Sequence, residues 1–123
     1  MKTELRINNY VLYDNRPFQI YSISDEFPTL NTIEFGIGVV DWNNISPIPI
    51  TEELLVKCGF EQDDELDYRF RLGIKHDPDF ITYDLDDNMY SIHDSWINTT
   101  IKYLHQLQNL YYALTKQELT IEI

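Results

Sequence analysis

The stretch IKYLHQLQNLYYALTKQEL, Ile101 to Leu119, decides the fold. From Tyr103 onward its apolar residues are Tyr103, Leu104, Leu107, Leu110, Tyr111 and Leu114. At 100° per residue these fall within an arc of roughly 120°, the width of one core-facing stripe. The spacing predicts a long amphipathic helix ending near Lys116 and Gln117, with Leu104, Leu107, Tyr111 and Leu114 in the core. The other face is His105, Gln106, Gln108, Asn109, Tyr112 and Ala113. Residues 103–115 contain no acid, lysine or arginine, in a chain with 21 acids and 9 bases. A solvated helix face would ordinarily carry Glu and Lys, which are good helix formers and keep surfaces apart. Amides and tyrosine can be desolvated when partners satisfy them. His105, Gln108, Asn109 and Tyr112 are therefore a candidate interface with another protein or a second copy. The competing account is that the chain's own terminal strand, Leu119 to Ile123, or a loop covers this face.

Outward from the helix, the chain reads as β-rich. Leu5 and Ile7 alternate with polar neighbours. Tyr10 to Tyr13 and Phe18 to Ile23 are strand-like runs flanking the turn signal Asp14-Asn15-Arg16-Pro17, which predicts a hairpin. Ser24 to Asn31 reads as a polar loop containing Pro28. Thr32 to Val40 reads as a third strand, bent near Gly36 and Gly38. Ile45 to Ile50 is a short edge segment, because Pro47 and Pro49 lack ladder donors. Short strands with tight turns suggest a small bent sheet, with a Src-homology-type barrel as one form. Thr51 to Phe60 has a helix signature. Thr51 is an N-cap, Glu52 and Glu53 occupy the first turn, and Gly59 takes the left-handed end with Phe60 packing back on Leu55.

Beyond Phe60 lies the acidic loop Glu61 to Asp67. Tyr68 to Leu72 alternates and places Arg69 and Arg71 on one face. His76 to Asp79 reads as a turn with Pro78. Phe80 to Leu85 and Met89 to His93 are strands joined at Asp86-Asp87-Asn88. Trp96 to Lys102 is a last strand before the helix, and Glu118 to Ile123 is β-prone. The expected class is α+β: a bent N-terminal sheet, a short helix, an antiparallel sheet and a long C-terminal helix packed on it. One domain of 123 residues is expected, with a β-rich part at 1–50 and the remainder at 51–123.

Composition narrows the function. The net charge is −12, with 11 acids against 3 bases in residues 61–94 alone. Such a field repels nucleic acid and anionic membrane. It suits a basic protein partner, an imitation of nucleic acid, or simple solubility. Cys58 is the only cysteine, so no internal disulfide is expected. MKTELRINNY has no apolar signal core, and no segment approaches membrane-spanning length. A soluble, cytoplasmic protein is expected.

Candidate chemistry is sparse. Asp84, Asp86 and Asn88 match spacings 1, 3 and 5 of a calcium loop, but Met89 stands where glycine is needed and Ser95 where a bidentate Glu is needed. Solvated hairpin acids are the simpler reading. His76, His93 and His105 lack metal-type spacing. A set of His93 or His105 with Asp94 and Cys58 would have to be assembled in space. Cys58 sits at a helix C-terminus, the wrong end for a thiolate, and reads as a small buried hydrophobe. No glycine-rich phosphate loop is present. No metal, cofactor or catalytic residue is expected.

Two motifs carry a resemblance. Pro47-Ile48-Pro49-Ile50-Thr51-Glu52-Glu53 followed by Gly59-Phe60 is one, and Tyr103 to Thr115 is the other. With Glu4-Leu5-Arg6-Ile7 and Asn9-Tyr10-Val11, the chain resembles a family of small uncharacterised proteins frequent in Bacteroidota, their phages and integrative elements. It departs from that pattern at Lys116, where glycine is usual, and at Leu54, where tryptophan is common. The resemblance implies a phage or mobile-element origin and carries over no activity or site residue. The function expected is a non-enzymatic interaction module with a host or self partner, a homo-oligomer included. The alternatives are an acidic nucleic-acid mimic that inhibits a host defence protein, and an enzyme.

Overall fold

A computed structural model describes residues 4–23, 28–32, 36–74, 77–93 and 95–122; within 28–38 and 74–80 it describes the backbone alone. The class is α+β: two antiparallel sheets, a short helix and a longer C-terminal one. The chain divides into two compact units, Met1–Pro49 with Tyr103–Leu119, and Ile50–Lys102 with Thr120–Ile123.

In the first unit, β1 (Tyr10–Tyr13) and β2 (Arg16–Ile23) form the expected hairpin, with Tyr13 opposite Arg16. Asp14 and Asn15 between them have φ of 54° and 60°. Two successive left-handed residues suit the twist of a two-residue hairpin, and Asp and Asn tolerate them better than most side chains. β3 (Pro28–Thr32) and β4 (Gly36–Val39) continue the meander, and β5 (Ile45–Ser46) returns to the far side of β1. The expected loop Ser24 to Asn31 thus gives way to a strand at Pro28. The first position of a strand tolerates proline's missing N–H. The register irregularity lies between Ile20 and Ser22, not at the glycines. Among the described residues no pairing joins β4 to β5, so the sheet is an open meander and not a barrel closed by ladders. Leu5, Val11, Ile20 and Ile45 form its core, flanked by Tyr13, Phe18, Val40 and Trp42.

The long helix α2 (Leu104–Thr115) belongs to this unit and lies against β1. That corrects its expected place on the second sheet. The reason is local. Leu104 N–H donates to the Ile48 carbonyl at 2.8 Å and Pro49 bridges Tyr103, so the helix starts beside the end of the first sheet's chain. Gln106 Oε1 accepts from the Tyr103 N–H at 3.1 Å, satisfying a donor at the helix start. Leu104 and Leu107 are buried, Tyr111 is half-buried and Leu114 is 39% exposed. Burial is confined to the helix's first half and takes in His105 and Gln108. The buried face is turned by roughly a quarter turn from the apolar stripe toward the amides.

In the second unit α1 (Glu52–Lys57) is built as its sequence predicts. Thr51 Oγ1 accepts from the Leu54 N–H at 3.2 Å. Gly59 has φ 90°, and the N–H groups of Gly59 and Phe60 donate to the carbonyls of Val56 and Leu55, each at 3.0 Å. This paired bond closes the helix end. The sheet runs β10 (Ser95–Ile97), β9 (Met89–Ile92), β8 (Asp77–Asp84), β7 (Arg69–Ile74), β6 (Glu61–Gln62). Phe70, Ile81, Tyr83 and Tyr90 are buried from alternate positions, as are Leu54, Leu55 and Phe60. The last strand is shorter than Trp96 to Lys102, and Pro78 lies inside β8. Of the turn expected at His76 to Asp79, His76 lies outside the described residues. No strand forms at 118–122; the Glu122 N–H donates to the Lys57 carbonyl at 3.0 Å.

α2 ends on Lys116 with φ 62°, in the left-handed region. A Cβ in that region is penalised, which glycine would avoid. Thr115 Oγ1 accepts from the Gln117 N–H at 3.1 Å and donates to the Tyr111 carbonyl at 2.8 Å, which holds the sharp end. Lys116→Gly should raise stability by about 1 kcal/mol. Urea unfolding at equal slope reads this directly, and an unchanged or lower midpoint would refute the account.

Candidate functional site

The amides of α2 face the chain's own segment Glu4 to Tyr10. Gln108 is 1% exposed. Its Oε1 accepts from the Tyr10 N–H at 2.8 Å and its Nε2 donates to the Asn8 carbonyl at 3.0 Å. One carboxamide thus meets an acceptor and a donor two residues apart across the turn at Asn8, whose φ is 79°. Asn109 Oδ1 accepts from Arg6 Nε and from Asn9 Nδ2, both at 2.9 Å, and its Nδ2 donates to the Glu4 carbonyl at 2.7 Å. Asn9 is itself fully buried, and its Oδ1 accepts from the Arg6 N–H at 2.7 Å.

Arg6 ties the opening segment to the helix and to Glu118 just beyond its end. It ion-pairs with Glu118 at 2.8 Å and lies 4.5 Å from the centre of the Tyr112 ring. His105 is fully buried at the first turn of α2, stacked on Tyr103, with Nε2 2.9 Å from Glu4 Oε1. The bond needs a proton on Nε2, and Nδ1 is buried without a hydrogen-bond partner. The His105 hydrogen bond holds the Glu4 carboxyl below its ordinary range.

The interface expected at His105, Gln108, Asn109 and Tyr112 is therefore closed from within the first unit. His105, Gln108 and Asn109 bind the opening segment. Tyr112 is 39% exposed, but its ring carries Arg6. The terminal strand offered as cover is not what covers them. The signal in the sequence was the polar pair Arg6 and Asn9 near the other end of the chain, whose side chains meet Asn109.

Cys58, Asp84 and Asn88, considered for chemistry, have structural roles, whereas Asp86 and His93 are exposed. Cys58 is buried, and burial pushes its thiol up to about 12, so it stays protonated. Asp84 Oδ1 accepts from the N–H groups of Asp86 and Asp87 at 3.0 and 3.1 Å, tying the hairpin turn. The buried Tyr83 hydroxyl donates to the Ile101 carbonyl at 2.6 Å and lies 3.1 Å from Asn88 Oδ1. Asp94 and His76 lie outside the described residues. Among the described residues no group of three or more His, Cys, Asp or Glu is placed to hold a metal ion.

Sequence reasoning missed a surface on the second sheet. Tyr68, Arg69 and Trp96 come together there, with the Arg69 Cζ 5.1 Å from the Trp96 ring centre. Trp96 is 41% exposed on the edge strand β10. The acidic loop lies along the other edge. Asp63 Oδ1 accepts from the N–H groups of Glu65 and Leu66 at 2.8 and 3.0 Å, and Asp63 bridges Arg71 at 3.1 Å. These backbone bonds, more than the arginine, hold the Asp63 carboxyl below its usual value.

Comparison of the chain with family models, curated proteins and solved structures finds no match. Among the described residues no helix is long and apolar enough to cross a membrane.

Replacing Gln108 with Leu keeps the volume but strands the Tyr10 N–H and the Asn8 carbonyl. The expected cost is about 2–4 kcal/mol in denaturant unfolding, from two unsatisfied groups. A change below the error of that measurement would show that the bridge does not hold the segment. Acid should also destabilise the fold. Glu4 and Asp63 both titrate below their ordinary values of 4.5 and 3.8, so their stabilisation is complete above those values. It is lost as pH falls through the lower, folded values. Asp63→Asn keeps the acceptor oxygen and should flatten the pH dependence below the ordinary value of 3.8. An unaltered dependence would count against the turn's charge.

Proposed function

We propose that the protein is a non-enzymatic interaction module that binds a protein partner with a basic surface through its second unit. The observation that carries this is the division of charge. The second unit holds 14 acids and 5 bases, and the first holds 7 and 4. Asp64, Glu65, Asp67, Asp86 and Asp87 are exposed, and none meets a basic side chain among the described residues. Like charges held this close repel one another, and a cationic partner relieves that repulsion while steering its own approach. Nucleic acid and anionic membrane are disfavoured by the same field. A phage or mobile-element setting, implied by the sequence resemblance, fits a small binder directed at a host protein. The amide face of α2 is engaged within the first unit, which leaves the second unit as the surface for a partner.

The test is capture from host lysate at low and high salt, with the protein beside its variant Asp64→Lys/Glu65→Lys/Asp86→Lys/Asp87→Lys. Circular dichroism verifies that the variant folds. Basic proteins should be retained at low salt, released at high salt and lost by the variant. Retention that ignores both salt and charge reversal would sink the reading.

A further inference from the structure

Among the described residues one arginine of the second unit bridges no carboxylate. Arg6 reaches Glu118 at 2.8 Å and Arg71 reaches Asp63 at 3.1 Å. Among the described residues the Arg69 guanidinium meets neither a carboxylate nor any hydrogen-bond acceptor. Asp84 stands directly across the ladder from it, but turns Oδ1 to the N–H groups of Asp86 and Asp87. Asp63 acts on Arg69 only as a charge beyond bridging distance. Arg69 instead lies over aromatic rings, its Cζ 5.1 Å from the centre of Trp96 and 6.0 Å from that of Tyr68. Its Nε is buried without a partner, and the two terminal nitrogens are not. In the most acidic part of the chain, a permanent cation is thus held over an exposed tryptophan, its outer end unpaired among the described residues.

We propose that Arg69, Trp96 and Tyr68 form a receiving site for a carboxylate of a protein partner, a Glu or Asp side chain on an otherwise basic surface. The surroundings rest on the basic-partner reading; the site rests on the guanidinium. With Nε closed off, a carboxylate approaches end-on and accepts two parallel bonds from the terminal nitrogens. The rings hold the guanidinium in place before binding, so less freedom is lost on contact. Tryptophan, tyrosine and arginine are also the residues that dominate binding energy in protein contacts. The negative field of the unit does not prevent this. Fields fade over about 8 Å at physiological salt, so net charge selects the partner at a distance while the guanidinium sets register at contact. A nucleic-acid phosphate would arrive with a negative polymer and be turned away.

The test uses the whole chain and nuclear magnetic resonance of the Trp96 indole and the Arg69 Nε–H, with Trp42 as the internal reference. The probes are a capped lysine peptide with one central glutamate, its glutamine counterpart, and inorganic phosphate. The glutamate peptide should shift both signals saturably and bind about tenfold tighter than the glutamine peptide, the scale of a charge-assisted bond. Arg69→Gln should erase that ratio, and Arg69→Lys should reduce it. Asp64→Lys/Glu65→Lys should weaken both peptides and leave the ratio. Equal binding of the two peptides, a ratio that survives Arg69→Gln, or an equal saturable response to phosphate would overturn the proposal. If neither peptide binds, the basic-partner reading fails. N-acetylglutamate then decides the site: a saturable shift absent with N-acetylglutamine supports it, and silence overturns it.

Discussion

The first unit depends on one carboxamide. Gln108 offers an acceptor to the Tyr10 N–H and a donor to the Asn8 carbonyl, and so braces the turn that enters β1. A buried amide is tolerated only when both of its ends are matched, and here the match is to backbone that would otherwise be left open. Asn109, one residue on, binds Arg6, Asn9 and the Glu4 carbonyl. The two side chains fix the segment's position, because a shift of one residue would take the Tyr10 N–H and the Asn8 carbonyl from their matching ends. Leu5 can then enter the core with Val11, Ile20 and Ile45.

Local signals were legible and distant ones were not. The Thr51 cap and the left-handed Gly59 are decided within a few residues and formed as the sequence predicts; the hairpin formed too, with a two-residue turn at Asp14-Asn15 and Arg16 and Pro17 already in the strand. Leu104 and Leu107 obey the apolar period, whereas Leu114 escapes burial because cover ends before the helix does. The uncharged face of α2 signals by its composition that it is withdrawn from water. Its occupant was not readable, because amides serve a foreign chain and their own chain equally well. Its contacts join residues about 100 positions apart, far beyond any periodic pattern. The two arginines of β7 were placed on one face by alternation. That Trp96 would meet Arg69 depends on the strand order β10-β9-β8-β7, which no local rule supplies.

The acids of the second unit are arranged by a few of their own number. Asp63 and Asp84 each turn a carboxylate back onto two backbone N–H groups and tighten a turn. Their neighbours Asp64, Glu65, Asp86 and Asp87 are left in solvent. A carboxylate bound to backbone is a structural part, and one that merely sits on the turn is available to another molecule. Counting acids along the chain cannot separate the two kinds; only the bonds of the turns do so.

The first unit is interrupted. Its sheet is encoded before residue 50 and its helix after residue 102, with nearly all of the second unit encoded between them. A ribosome working at about 5–20 residues per second therefore releases the sheet several seconds before the helix that completes it. During that time Asn8, Asn9 and Tyr10 have no Gln108 or Asn109 to bind, and the Tyr10 end of β1, beyond its pairing with β5, is open to an extended chain nearby. The 50–102 segment is complete sooner, apart from a four-residue tail. Synthesis thus sets an order of assembly: the acidic unit can form while the other waits for its last helix.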